Sequence, residues 1–241
     1  MISVRTKLYF STENLILQQF FVFTFPERHD KMCSYLYFSF LRGQTMDSNF
    51  FALISRMRYI ARWGLMRNAL PENIQEHSHM VAVLAHALGV IRRDIFHQPC
   101  DVNALATAAL YHDASEILTG DLPTPIKYHN AEIMSAYHAV EDLAVQKLLG
   151  MLPPELRETY AGVLAEDKNG DIYPLVKAAD KLSAYIKCIE ERKAGNNEFL
   201  SAEAQTRAAL EASPLPEVQY FLEHFIPAFE RDLDELGAIG Q

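Results

Sequence analysis

From residue 47 onward the sequence repeats one pattern, in which apolar residues recur at intervals of three and four positions. This spacing places them along one face of a helix, and no stretch of convincing length shows the strict alternation of a half-buried strand. Cap-like Asn73 and Asp101 begin two of the segments, and glycine or proline separates several of them. The predicted helical segments are FFALISRMRYIARW, NIQEHSHMVAVLAHALGVIRRDIF, DVNALATAALYHD, NAEIMSAYHAVEDLAVQKLLG, YPLVKAADKLSAYIKCIEERKAG, NEFLSAEAQTRAALEA and EVQYFLEHFIPAFERDLDELG. The pattern therefore predicts an all-α protein with an irregular helical bundle, in one domain over residues 46–241.

Charge and cysteine content narrow the possible partners and location. The formal net charge is −9, so a nucleic-acid backbone would be repelled and general nucleic-acid binding is disfavoured. The three cysteines Cys33, Cys100 and Cys188 are far apart and form no CxxC pair, which argues against a disulfide framework and a cysteine zinc site. No run reaches the roughly 18 apolar residues of a membrane span, and no signal peptide is evident. We therefore expect a cytoplasmic protein with no nucleic-acid and no membrane partner.

Residues 1–45 differ from the rest of the chain. They contain ten of the 25 phenylalanine and tyrosine residues and carry a net charge of +2, which leaves −11 for the remainder. Neither helical nor alternating periodicity holds for long in this leader. A second methionine, Met46, stands just before the first helical segment. Our hypothesis is that the native protein starts at Met46 and that the leader is an over-extended reading frame or a poorly ordered tail; the alternative is an aromatic-rich strand or packing arm.

The segment ALYHDASEILTGDLPTP contains the first candidate site. An apolar helical run from Asn103 ends on the adjacent pair His112 and Asp113. Neighbouring residues of a straight helix point about 100° apart, so the pair can converge on one point only at a helix end or a distortion. A buried carboxylate needs a cationic or metal partner, or it takes up a proton. The pair therefore indicates a bound cation.

Two further side chains could complete this site. His77 lies near the start of a long helix, and Asp180 is embedded in the apolar helix VKAADKLSAY. Together with His112 and Asp113 they form a set of two imidazoles and two carboxylates, which suits Zn²⁺, Mn²⁺, Co²⁺ or Fe²⁺ better than Ca²⁺. Four protein ligands also leave open positions on an octahedral ion for water and substrate.

Each of these signals is weak when taken alone. A single histidine in a helix is more often a core or surface residue than a ligand, and the dipeptide His-Asp occurs by chance in many proteins. The remaining histidines are interpreted in that ordinary way: His29, His79, His86, His97, His129, His138 and His224. The joint order raises the odds, because His77 is followed after about 35 residues by His112–Asp113 and after about 67 more by Asp180.

That order resembles the HD-domain superfamily of metal-dependent phosphohydrolases. The segments SRMRYIARWGLMRN, ENIQEHS, LYHDASEILTGDLPTPIKY and EERKAGNNEFL are similar to the bacterial 5′-deoxynucleotidases of that superfamily. The similarity extends from about Met46 to about Leu236, and HDASEILTGDLPTP is far more specific than His-Asp alone. The resemblance implies an all-α fold of the HD-domain type and a homodimer.

The resemblance also implies roles for individual residues. It places one divalent transition-metal ion, Co²⁺, Mn²⁺ or Zn²⁺, on His77, His112, Asp113 and Asp180. It makes Glu116 the catalytic acid and Arg62 the residue that orients the phosphate, next to Trp63. It assigns substrate contacts to Arg62, Trp63, His77, Asp113, Asp180 and the loop residues Asp121, Leu122, Pro123 and Thr124.

The resemblance further implies the reaction, which is hydrolysis of deoxyribonucleoside 5′-monophosphates. Glu116 follows Asp113 by three residues, about one helical turn if the helix continues, so it can orient the water or protonate the leaving 5′-oxygen. Arg62 offers a planar fork of donors for phosphate at any pH. Trp63 and Asp121 could leave no room for a 2′-hydroxyl, which would select deoxyribose over ribose with little selectivity for the base.

Ordinary alternatives remain for several of these residues. Glu116 could be a surface glutamate, and Trp63 could be a core residue. Two other functions also stay open. One is a related HD-domain triphosphohydrolase or phosphodiesterase, which would need more basic residues or more metal ligands than the sequence shows clearly. The other is a non-catalytic HD module that binds a nucleotide or a protein.

Overall fold

The computed structural model describes residues 4–7, 20–23, 48–127, 129–165 and 170–237. The chain divides into two units at the boundary between Asp47 and Ser48. In the first unit, strands β1 (Val4–Lys7) and β2 (Phe20–Phe23) pair antiparallel, with Val4 opposite Phe23 and Lys7 opposite Phe20. Apart from these strands the leader lies outside the described residues, so its boundary and its origin stay a prediction.

The described part of the second unit is helical, which confirms the all-α prediction for this unit. Its α-helices are α1 (Phe50–Ile54), α2 (Ile74–Val90), α3 (Val102–Tyr111), α4 (Glu116–Thr119), α5 (Thr124–Lys127), α6 (Ala131–Gly150), α7 (Pro154–Leu164), α8 (Tyr173–Lys193), α9 (Leu200–Glu211) and α10 (Pro216–His224). Short 3₁₀ turns cover Ser55–Tyr59, Asn197–Phe199 and Ile226–Glu230, and a π-turn covers Ile91–Ile95. None of the helices among the described residues is both long and apolar enough to cross a membrane.

Several predicted helix ends are confirmed. The Asn73 side chain accepts hydrogen bonds from the backbone nitrogens of Gln75 and Glu76, and Glu76 completes a capping box. Asp101 caps α3 by accepting from the backbone nitrogen of Ala104 at 2.9 Å. Because these caps fix the starts of α2 and α3, they also fix the register of the ligands that the two helices carry.

Helix α2 lies at the centre of the second unit and packs against both α3 and α8. Gly89 permits the close approach to α3, since a Cβ there would lie only 3.0 Å from a methyl carbon of Leu105. Helix α8 is buried over most of its length and contributes Leu175, Ala179, Leu182 and other residues to the main core. The three helices that were predicted to carry metal ligands therefore form one packed layer.

One helix prediction was wrong. The segment FFALISRMRYIARW does not form a continuous helix, because α1 ends at Ile54, the 3₁₀ turn ends at Tyr59 and Ile60 is extended. The backbone instead pairs with the residues before α2: Arg62 N donates to Glu72 O at 3.0 Å, and Ile74 N donates to Ile60 O at 2.9 Å. This tertiary pairing competes with the helical periodicity and produces an irregular connection, residues 60–73, which we call the Arg62–Trp63 loop.

Candidate metal centre and substrate site

The four predicted ligands come together from three helices. His77 lies in the first turns of α2, His112 and Asp113 follow the end of α3, and Asp180 lies in α8. His77 Nε2 is 3.0 Å from Asp180 Oδ1 and 3.6 Å from Asp113 Oδ2. Ligand atoms of His77, His112 and Asp180 all lie within 4.8 Å of one another. We call His77, His112, Asp113 and Asp180 the His-Asp cluster.

His112 is held in the tautomer that a metal ligand needs. Its Nδ1 lies 2.7 Å from the carbonyl oxygen of Ala109, and because a carbonyl only accepts, Nδ1 carries the proton. The lone pair is therefore on Nε2, which is buried and makes no hydrogen bond with any described residue. Asp113 Oδ2 is 3.1 Å from this nitrogen but is not aligned for a hydrogen bond. Such a pair, close but unaligned, fits two ligands of one ion.

His77 is fully buried, and the ring nitrogen that points away from the cluster also has a partner. Its Nδ1 lies 3.1 Å from the hydroxyl oxygen of Ser183, one turn after Asp180 on α8. When a histidine binds metal through one nitrogen, a partner on the other nitrogen fixes the ring orientation. Ser183 was not predicted, although its three-residue spacing from Asp180 places both on one face of α8 and could have indicated it.

The electrostatics of the cluster favour a cation at its centre. Burial raises the pKa of Asp113, but the nearby imidazoles of His112 and His77 together outweigh this and hold that pKa below its ordinary value. Burial likewise raises the pKa of Asp180, but the hydrogen bond with His77 and the charges of His77, His112 and Arg62 together lower it by more. Burial lowers the pKa of His112, yet the adjacent Asp113 carboxylate and the charge of Asp180 together raise it by more. Two carboxylates that stay ionised beside the imidazoles create a negative field that a divalent ion would balance.

The donor set fits a divalent transition metal. Two imidazole nitrogens and two carboxylate groups suit ions of the zinc, manganese and cobalt kind. His77 and the side chain of His112 are buried, whereas the side chains of Asp113 and Asp180 are 19% and 33% exposed. The cluster is therefore anchored in the core and open to solvent on its carboxylate side, where a substrate could enter.

Glu116 lies beside the cluster. Residues 112–115 form a turn, so α3 does not continue, but Glu116 N still donates to Asp113 O at 3.0 Å and begins α4. The side chain is only 8% exposed, and its Oε2 has no hydrogen-bond partner among the described residues. Burial, reinforced by the charges of Asp113 and Asp121, raises the pKa of Glu116 to about 10. A raised pKa favours the protonated form of the carboxyl group, which can donate a proton.

Arg62 and Trp63 are joined through a residue that was not predicted. Glu72 Oε2 accepts from Arg62 Nη1 at 2.7 Å and from Trp63 Nε1 at 3.1 Å. Burial lowers the pKa of Arg62, but the charges of Glu72 and Asp180 raise it by more, so Arg62 remains a cation. Arg62 makes no other side-chain hydrogen bond with the described residues, which leaves Nε and Nη2 as donors for an anion.

Trp63 adopts a backbone conformation that tryptophan rarely occupies. Its φ is 59°, in the left-handed region, where a bulky residue costs on the order of 1–3 kcal/mol. Its backbone nitrogen donates to Asp121 Oδ2 at 3.3 Å, which joins the two predicted substrate-binding segments. Its ring packs against the buried ring of Phe199, with centroids 5.3 Å apart. Several contacts therefore fix the orientation of Trp63.

The predicted substrate loop Asp121–Thr124 connects α4 to α5. Gly120 precedes it with a φ of 74°, a conformation that glycine adopts without strain, and the chain turns there toward Trp63. Asp121, Leu122 and Pro123 are half-buried, and Thr124 begins α5. Burial raises the pKa of Asp121, even though Arg62 lowers it. The loop thus places the Asp121 carboxylate against the backbone of Trp63.

Comparisons with known proteins find a matching family model and similar sequences. A family model described as "5′-deoxynucleotidase YfbR-like" matches residues 49–229. Two proteins called 5′-deoxynucleotidase YfbR, from Shigella boydii and Escherichia coli, are each 50% identical to the chain over 192 residues, which is 79% of this chain and 96% of theirs.

Solved structures resemble the fold. An HD-domain phosphohydrolase from Listeria innocua aligns with a TM-score of 0.68 at 24% identity and covers 77% of this chain and 90% of its own. A protein from Pyrococcus horikoshii aligns with a TM-score of 0.58 at 21% identity and covers 76% of this chain and 98% of its own. At these identities the likeness concerns the fold alone.

Proposed function

The chain belongs to the YfbR-like family of 5′-deoxynucleotidases and is a nucleotide-hydrolysing enzyme, and we propose that it cleaves deoxyribonucleoside 5′-monophosphates to a deoxyribonucleoside and phosphate. The proposal includes a single divalent transition-metal ion, Co²⁺, Mn²⁺ or Zn²⁺, a preference for deoxyribose over ribose and little preference for the base. The observation that carries it is the buried, unpartnered Nε2 of His112, which lies beside the carboxylates of the His-Asp cluster, with the buried Glu116 next to them.

His77, His112, Asp113 and Asp180 would hold the metal. When bound, a divalent ion supplies a Lewis acid that activates water and offsets phosphate charge. Arg62 would bind phosphate oxygens through Nε and Nη2, because Glu72 already occupies Nη1 and keeps the guanidinium plane in one orientation. The phosphate would then lie between Arg62 and the open carboxylate side of the cluster.

Glu116 would act as the general acid. As water forms the new bond to phosphorus, the bond to the 5′-oxygen breaks, and that oxygen needs a proton to leave as an alcohol. A carboxyl group whose pKa is raised to about 10 carries this proton at neutral pH. The burial of Glu116 therefore supports the donor role over that of an ordinary surface glutamate.

Selectivity for deoxyribose would come from Trp63 and Asp121. The hydrogen bond from Trp63 N to Asp121 Oδ2 connects the ring-bearing loop to the loop Asp121–Thr124, so the two can form one wall. A ribose would bring an extra hydroxyl against this wall, whereas a deoxyribose would not. Because no part of this recognition involves the base, we expect little selectivity for the base.

The test compares nucleotides on one metal-loaded protein. Metal-stripped protein is loaded with Mn²⁺, Co²⁺ or Zn²⁺, and phosphate release is measured from dAMP, dGMP, dCMP, dTMP and AMP, with dATP and cyclic AMP as controls for the related reactions. We expect release from all four deoxynucleotides and much less from AMP. Release from none of them by metal-loaded protein would contradict the proposal. Equal release from dAMP and AMP would retain hydrolysis and reject the roles of Trp63 and Asp121.

A further inference from the structure

The segment EERKAGNNEFL resembles the family, yet none of its residues belongs to the His-Asp cluster or to the proposed substrate wall. In the structure it runs from the last turn of α8 through the 3₁₀ turn Asn197–Phe199. Two of its polar side chains, Glu191 and Asn196, bind the middle of the Arg62–Trp63 loop, which is more than 120 residues away in sequence. This long-range contact suggests that the segment acts on the loop.

Glu191 makes the central contact. It is fully buried, and its carboxylate accepts from Ala69 N at 2.8 Å and from Leu70 N at 3.0 Å. Lys187, also buried, donates both to this carboxylate and to the carbonyl oxygen of Leu70. A buried ion pair that also binds three backbone groups of a loop restricts that loop much more than a surface pair would.

Asn196 and Phe199 extend the contact toward Trp63. Asn196 Nδ2 donates to Glu191 Oε2 at 2.8 Å and to Arg67 O at 2.7 Å. Phe199 is fully buried and packs against the ring of Trp63 at an angle of 60°. We call Lys187, Glu191, Asn196 and Phe199 the Glu191 clamp, because together they contact the loop at Trp63 and again at residues 67–70.

We propose that the Glu191 clamp positions Trp63 and thereby sets the discrimination between deoxyribose and ribose, although the clamp itself does not touch the substrate. This inference rests on the proposed function. A tryptophan in the left-handed region persists only where its surroundings determine its conformation. The clamp contributes to these surroundings, because Phe199 packs against the Trp63 ring and the polar clamp residues hold residues 67–70 of the same loop. The clamp residues are therefore positioning residues rather than catalytic ones.

Two mild variants test the clamp without leaving an unpaired buried charge. Asn196→Ala removes the tether to Arg67 O, and Phe199→Leu removes the ring against Trp63. The matched control is Arg192→Gln. It removes a charge from the same helix, but the Arg192 side chain binds Glu203 and Glu230 and not the loop. Far-UV circular dichroism and thermal melting establish that each variant is folded.

Two readouts distinguish positioning from a general loss of stability. Trp63 is the chain's single tryptophan, so fluorescence excited selectively at tryptophan reports on this loop alone. We expect both clamp variants to shift its emission and to lower the ratio of kcat/KM for dAMP over AMP by about ten- to a hundredfold, as small displacements at a site do. Arg192→Gln should leave the emission and the ratio unchanged.

The possible results separate the two proposals. Folded clamp variants with wild-type emission and wild-type selectivity would overturn the inference, and so would an equal loss of activity on dAMP and AMP with unchanged emission. If the wild-type protein hydrolyses neither nucleotide, the proposed function fails, and the emission alone then decides whether the clamp positions Trp63. If only one of the two variants folds, that variant decides the question.

Discussion

The His-Asp cluster and the Arg62–Trp63 loop face the same site but are held in place by different means. The cluster comes from helices α2, α3 and α8, whose hydrophobic packing and caps fix its side chains. The loop has no regular secondary structure over most of residues 60–73 and depends on polar contacts with distant residues such as Glu191. The packing of the helices therefore fixes the cluster, whereas long-range polar contacts fix the loop.

This difference suggests a division of tasks. Helix-borne ligands with one exposed side suit a metal and the chemical step, which need fixed geometry. A tethered loop suits substrate selection, because its shape can change without disturbing the core. We therefore expect variants in the cluster to alter the rate on all nucleotides, and variants around the loop to alter the choice between them.

The largest expected effect concerns the cluster. Glu116→Ala should lower kcat on dAMP and AMP alike by about 10²- to 10⁴-fold, the usual contribution of general acid-base catalysis. Metal content, measured by elemental analysis, should stay at the wild-type level, because the four ligands are retained. Trp63 emission should also stay unchanged, since Glu116 makes no hydrogen bond to the loop in the described part of the chain.

Two controls accompany this variant. Glu116→Gln keeps the shape of the side chain but does not donate an acidic proton, so it should be almost as inactive. Glu223→Ala makes the same truncation on the exposed surface of α10 and should leave the rate unchanged. Substantial activity in Glu116→Ala would assign the proton donor to another group.

A smaller effect is expected at Ser183, which contacts the proposed metal ligand His77. Ser183→Ala removes the partner of His77 Nδ1 and should weaken metal affinity by about 10- to 100-fold, as the loss of such a partner typically does. The ratio of activity on dAMP to that on AMP should not change at saturating metal. The measurement is a metal titration followed by phosphate release.

Ser78→Ala is the matched control for Ser183→Ala. Ser78 is equally buried and adjacent to His77, but its hydroxyl has no hydrogen-bond partner among the residues described. Its removal should therefore leave metal affinity near the wild-type value. Similar weakening in both variants would mean that the loss of a buried hydroxyl, and not the orientation of His77, is responsible.

The two regions also differ in how far they could be predicted. The histidines and aspartates of the cluster lie in apolar helices, so the residues next to them in sequence made them conspicuous. The loop was predicted to be helical through Trp63, and that was wrong, because its backbone pairs with residues 72–74 instead. Glu72 and Glu191 could not have been recognised from local spacing, since their partners are identified only by the tertiary fold.

The smallest expected effect is on the loop in acid. Burial raises the pKa of Glu191, but hydrogen bonds from Lys187 and Asn196 and from two backbone groups together lower it by more. The pKa falls from 4.5 to about 2. A carboxyl group with a depressed folded-state pKa stabilises the fold fully above its unfolded pKa and loses that contribution as the pH falls through the folded pKa. Between neutral pH and about 5 the clamp should therefore be unaffected, and it should weaken progressively below about 4.5.

Trp63 emission against pH measures this effect, and Glu191→Gln isolates it. Asp121 and Glu72 also bind Trp63, and both remain in the variant, so the difference between the two titration curves belongs to Glu191. The variant should already show at neutral pH part of the emission change that the wild-type protein shows only in acid, while far-UV circular dichroism remains helical in both. Coincident curves, or an emission change that occurs only together with loss of the helices, would mean that the loop is held as rigidly by the fold as the cluster is.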